Sequence, residues 1–208
     1  MKQDAKVLKK VYETRNYLHC LDREKIHIIF FSYYFNFHNL YHSPLLVTTK
    51  LLGLVTRKPL IDHVAHISNF DKDEGSGYWQ PRIFEASMAR GMEETDLYQR
   101  LRAFNGRAYI LTLDKKIDKI KAKKFEMDYL AVPYSKLLAM FSGVDLPGCT
   151  DSIMHIKSDG GFCSWLVANF LVNQGIDISK IEYGIGEEIT PIDLFVSNFG
   201  KPKLFYEG

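Results

Sequence analysis

The spacing of apolar positions changes along the chain, and each change marks an element. Val7, Leu8, Val11 and Leu18 form a partial apolar stripe among Lys, Glu and Arg, which predicts a helix over residues 1–24. From Ile26 to Thr49 there is no Lys, Arg, Asp or Glu, and IIFFSYYFNF is densely aromatic, as expected of a buried helix or strand. A short helix over Leu45–Leu54 should close before Pro59. Alternation in IDHVAHIS, residues 61–68, predicts a strand; NFDKDEGSG, residues 69–77, predicts a loop; YWQPRIFEAS, residues 78–87, predicts a second strand and a hairpin with a long connection. Helical spacing returns over residues 94–104, and RAYILTLD, residues 107–114, reads as a third strand. Residues 115–131 are a highly charged helix whose charges form a solvated face. A helix over 134–142 leads into a Gly/Pro-rich loop, residues 143–161. Beyond it, Leu166, Val167, Phe170 and Leu171 mark a buried helix stopping near Gly175. A capped helix should begin near Thr190 and Pro191, and FYEG closes the chain as a strand. Helices, then strands, then helices suggest an α+β fold.

Composition narrows the classes. At 208 residues, 46% hydrophobic and 25% charged, the chain suits one globular domain with a real core. A net charge of +2 argues against bulk nucleic-acid affinity. Cys20, Cys149 and Cys163 are odd in number, form no CxxC pair and suggest neither a disulfide framework nor zinc. A reducing compartment follows, and MKQDAKVLKK carries no secretion signal. The uncharged stretch 26–49 is long enough to span a membrane. Its Asn36, Asn39, His27, His38, His42 and Pro44 make a packed core element the better reading, with peripheral membrane contact through Tyr and Phe as the alternative.

Three residues could carry chemistry. Cys163, in the first turn of its helix, points its sulfur at unpaired backbone N–H groups, where the helix dipole favours thiolate over thiol. In IDHVAHIS, His63, Ala65 and Ile67 share one strand face; in RIFEAS, Ile83 and Glu85 share one. If these strands are neighbours, Glu85 can orient His63, and His63 can take the proton of Cys163. Backbone N–H groups at the helix start could then hold an oxyanion. Each residue also has a plainer reading: a small core hydrophobe, a satisfied core histidine, a strand carboxylate. His66, His42 and Asp62 compete for the base and orienting roles, whereas Cys149, in a loop, and Cys20, in a helix, have no activating context.

The motifs DHVAHI, RIFEASMARGM, GGFCSWLVANFLVNQGI and ITPIDLF, in this order, resemble the circularly permuted NlpC/P60 papain-like cysteine hydrolases, the YiiX/YaeF-like group. The resemblance covers about residues 44–205 and implies a permuted papain-like catalytic domain over 44–208, an antiparallel sheet packed against the cysteine helix, and an N-terminal helical and aromatic extension over 1–43. It implies Cys163 as nucleophile, His63 as general base and Glu85 as the orienting group, with no cofactor and no metal. Trp165 stands where an acidic residue is common, and His66 where an aliphatic is usual. The implied substrate is a peptide or a peptidoglycan stem peptide, with Tyr78, Trp79 and Trp165 as candidate walls of its site. Peptidoglycan lies outside the cytoplasm, yet no export signal is seen, so the expectation is a cytoplasmic protein or one released without a signal peptide, as a phage-encoded enzyme would be. Two other readings use the same fold. One is an acyltransferase or amidase of the lecithin:retinol acyltransferase type, forming a cysteine thioester with the aromatic stretch facing lipid. The other is a binding module without catalysis, Trp165 filling the cleft.

Overall fold

The structure is a computed structural model and describes residues 13–34, 61–87, 89–133, 163–179, 181 and 189–208. Six strands form one antiparallel sheet: β1 (Lys25–Tyr33), β2 (His63–Lys72), β3 (Trp79–Ser87), β4 (Gly91–Asp96), β5 (Gly106–Lys116) and β6 (Lys203–Glu207), in the order β4-β3-β2-β1-β5-β6. The helices among the described residues are residues 13–19, α1 (Leu97–Arg102), α2 (Lys119–Tyr129), α3 (Cys163–Asn173) and α4 (Pro191–Val196). The chain is therefore α+β.

The alternation of side chains along a strand gives the sheet two apolar faces, each covered by helices. Ile28, Phe30, Val64 and Phe84 meet Leu166, Val167 and Phe170 of α3, with Phe125 of α2 and Leu194 of α4. Their neighbours in the strands, Ile29, Phe31, Ala65 and Ile83, meet Leu18, Leu97 and Leu101 on the other side. Such two-sided burial explains why IIFF, residues 28–31, is apolar throughout and does not alternate with polar residues.

The uncharged stretch thus contributes a strand, and a central one: β1 is hydrogen-bonded to β2 on one side and β5 on the other. It falls within the segment expected as an extension, so the sheet begins well before residue 44. Ile26 and Ile28 to Phe31 are buried in protein. No helix among the described residues is long and apolar enough to cross a membrane.

Other boundaries differ from expectation. The segment 69–72, expected as loop, continues β2, because Asn69 to Lys72 pair with Trp79 to Arg82 across a register shift. The expected helix 94–104 divides: Gly91–Asp96 is a strand, and the helix runs only over Leu97–Arg102. Asp96 makes the change, ending the strand and capping α1 by accepting from the Gln99 N–H at 2.8 Å. Gly91, at φ +77°, opens β4 where a side chain would collide with the Val132 carbonyl. Helix α2 is capped by Asp118 and buries Ala122, Phe125 and Glu126 under a lysine-rich outer face. Thr190 and Asp193 form the capping box that starts α4 behind Pro191. The expected helices over 45–54 and 134–142 and the loop 143–161 lie outside the described residues.

Candidate active site

His63 is the first residue of β2, and Glu85 lies near the end of β3, its antiparallel neighbour. Their side chains meet: His63 Nε2–H donates to Glu85 Oε2 at 2.7 Å. With Nε2 so committed, Nδ1 is the nitrogen left for Cys163, whose sulfur is near enough to raise the pKa of the ring. His63 shares strand parity with Ala65 and Ile67, which belong to one core, whereas Cys163 packs in the other. They reach each other because each stands at the end of its element, His63 opening β2 and Cys163 beginning α3. The residues expected as a constellation are therefore brought together.

The site is nearly dry. Cys163 is 6% exposed and Glu85 3%. Burial by itself would push the His63 imidazole below its ordinary pKa. The charge of the Cys163 sulfur and its hydrogen bond oppose this, and so do the hydrogen bond and charge of Glu85. Together they prevail and raise His63 from 6.5 to about 10. Glu85 repeats the contest with the opposite sign. Burial pushes its pKa up, but His63 and then Arg100 outweigh burial and hold it at about 2. At neutral pH the pair is an imidazolium on a carboxylate, in a setting where a charge without its partner would be costly.

Two members of this cluster were not anticipated from sequence. Arg100, on α1, donates from Nε to Glu85 Oε2 at 3.4 Å and from Nη2 to Tyr33 Oη at 2.7 Å. Its guanidinium carbon lies 5.1 Å from the centroid of the Phe31 ring, which in turn sits 5.7 Å from the His63 ring. The signal available was the helical register of Leu97, Leu101 and Arg100 next to the Asp96 cap. Which strand residues would face it depended on pairings that local sequence does not encode.

The competing residues have other employment. His66 is fully buried on the α3 side, stacked 3.7 Å from Phe170 at an interplanar angle of 6°, with Nε2 3.3 Å from Glu126 Oε1. Burial pushes its pKa down against the pull of Glu126, so it is a neutral core histidine. Asp62 accepts from the Tyr33 N–H at 2.9 Å. Cys20 is exposed in the turn after the N-terminal helix. His42, Cys149 and the glycines before Cys163 lie outside the described residues.

Two of the aromatic residues expected as substrate walls, Tyr78 and Trp79, are placed elsewhere. Trp79 pairs with Lys72, nine residues along β2 from His63, so it stands about 30 Å away at the rise of a strand. There Arg23 lies over its ring at 4.2 Å, beside a cavity of about 440 Å³ lined also by Ser68, Asn69, Lys123 and Glu126. Tyr78 is held at the same end by Arg15, 4.1 Å from its ring centroid, and by the His19 ring at 5.1 Å. A long hairpin carries both rings away from Cys163, a separation invisible while residues 69–77 read as a loop. Trp165 follows Cys163 by two positions, which turns it about 200° around the helix; its ring packs against Tyr129 at 5.6 Å. Among the described residues no group of three or more His, Cys, Asp or Glu could hold a metal ion. No protein-family model, no curated protein and no solved structure matches this chain.

Proposed function

We propose that the chain is a cysteine hydrolase that cleaves an amide bond, in a peptide or a peptidoglycan stem peptide, on a permuted papain-like core. The observation that carries the reading is the convergence of Cys163, His63 and Glu85, three residues distant in sequence, two of them buried and the His63 side chain 13% exposed between them. The permuted order is supported by the histidine strand β2 preceding the cysteine helix α3, which packs on the antiparallel sheet. The sulfur, as thiolate, attacks the carbonyl carbon, and the carbonyl electrons move to oxygen. As the tetrahedral intermediate collapses, the C–N bond breaks and the His63 imidazolium gives its proton to the departing nitrogen. The neutral imidazole then takes a proton from water, whose oxygen attacks the thioester. The acid is released, the thiolate returns, and His63 is again protonated. Glu85, ionised throughout, holds the ring in line and stabilises its charged form.

The acyltransferase alternative uses the same Cys163 and His63; of the aromatic stretch Phe30–Tyr41 that favours it, Phe30 and Phe31 are enclosed in the central strand, and residues 35–41 lie outside the described residues. The test is turnover of casein-derived peptides and of muropeptides by the wild-type chain and by Cys163→Ala, with circular dichroism to show that both fold. Cys163→Ala should lose about a thousandfold or more in kcat. Equal turnover by the two proteins overturns the reading. An acyl adduct on Cys163 after incubation with phospholipid, without amide cleavage, would favour the acyltransferase.

A further inference from the structure

The Glu85 oxygen that accepts from His63 also accepts from Arg100: both bonds end on Oε2, at 2.7 Å and 3.4 Å. Two cations therefore share one buried carboxylate oxygen. The arginine is itself fixed. Its Nη2 donates to Tyr33 Oη at 2.7 Å, its guanidinium lies by the Phe31 ring, and α1 is pinned by buried Leu97 and Leu101 and by the Asp96 cap. Tyr33 is anchored in turn by β1 pairing and by the bond from its N–H to Asp62. An arginine needed only to neutralise a surface charge would require none of this; its side chain is 23% exposed, against 4% for Glu85.

We propose that Arg100 is a positioning residue for the Cys163–His63–Glu85 constellation, setting the angle of the Glu85 carboxylate and dividing its charge so that the His63 imidazolium can release its proton. The inference rests on the hydrolase reading for its purpose, though not for its test. A carboxylate given wholly to one buried imidazolium would hold that proton too firmly for transfer to a leaving nitrogen. A second, fixed cation on the same oxygen weakens the hold and also repels the imidazolium directly. The two roles separate by sign. If Arg100 divides the charge, its loss tightens the hold of Glu85 on His63; if it is merely structural, its loss lets Glu85 drift and loosens that hold.

The experiment is the titration of the His63 ring carbons by NMR, without substrate, in full-length Cys163→Ala, where the sulfur no longer contributes to the midpoint. Adding Arg100→Gln should raise the midpoint by about one pH unit, and adding Glu85→Gln should lower it by at least as much. Adding Arg100→Lys, which retains the charge, should leave the midpoint near that of Cys163→Ala alone. A midpoint unchanged or lowered by Arg100→Gln in a folded protein overturns the proposal; should that variant fail to fold, Arg100→Met, which removes the charge and keeps the length of the side chain, must raise the midpoint or the proposal falls. With Cys163 present, Arg100→Gln should lower kcat about tenfold, the equivalent of one pH unit in free energy, with KM little changed. If the wild type hydrolyses no amide while the midpoint still moves as stated, the hydrolase reading fails and the positioning role stands.

Discussion

Glu85 illustrates how a residue with ordinary propensities acquires a special state from its surroundings. Burial alone would favour its neutral acid, yet His63 and Arg100 on one oxygen keep it ionised at about 2. Glu85→Gln preserves the shape and removes the charge. His63 then loses the hydrogen bond and the charge that Glu85 supplies, two of the causes that raise it to about 10. The pH–rate profile should respond directly. For the proposed hydrolysis, the alkaline limb of kcat/KM should follow loss of the imidazolium proton near 10 in the wild type and move toward neutral pH in Glu85→Gln, with kcat falling about a hundredfold or more. An alkaline limb that stays in place would show that Glu85 does not set the charge of His63. These residues were legible in sequence because parity along two strands and the first turn of one helix are local rules. Arg100 was not, because its partners Tyr33 and Glu85 lie 67 and 15 residues away and meet it only through the register of the sheet.

At the scale of elements, β1 shows where pattern reading reaches its limit. A run of apolar residues without alternation fits a buried helix and a buried strand equally well, and Ile26–Tyr33 offered no turn signal to decide. The decision came from β2 and β5, whose edges need a partner between them. The converse holds at β4, where the polar residues Glu94 to Asp96 fit the start of the helix expected over 94–104, yet Gly91 and Met92 are buried against the body of the protein and pairing with β3 makes Gly91–Asp96 a strand. Phe30 tests the placement of β1. It is fully buried on the α3 side, its ring edge-on to Phe195 at 5.2 Å. Phe30→Ala should cost about 3–5 kcal/mol in urea denaturation, the usual range for a large aromatic removed from a core. A loss below about 1 kcal/mol would fit a ring facing lipid or solvent and would contradict a central β1.

For the whole molecule the buried histidines divide into two kinds, with opposite effects on stability. His27 and His66 are pushed below their ordinary value chiefly by burial, so the folded state keeps them neutral; their contribution is lost as pH falls below 6.5, where the unfolded chain takes up protons and the folded one resists. His63 is raised, so its contribution is fully present below 6.5 and is lost as pH rises through about 10. Glu85 is lowered, so its share is present above 4.5 and is lost as pH falls through about 2. Above about pH 9, where the cysteine of the unfolded chain has ionised as well, the His63 contribution is the one that declines among these groups, and the sulfur of Cys163 is the foremost group raising it. Urea denaturation of the wild type at pH 9, 9.5 and 10 should show stability falling with pH, and Cys163→Ala should fall less over the same interval. The missing sulfur atom also leaves a small void in the variant, but that loss is the same at every pH and cancels from the difference in slope. Parallel declines in the two proteins would mean that the thiolate and the imidazolium do not sense each other across the end of the sheet, and the constellation would then be three neighbours without shared charge. A flatter line for Cys163→Ala would instead tie the stability of the fold to the ion pair proposed to perform its chemistry.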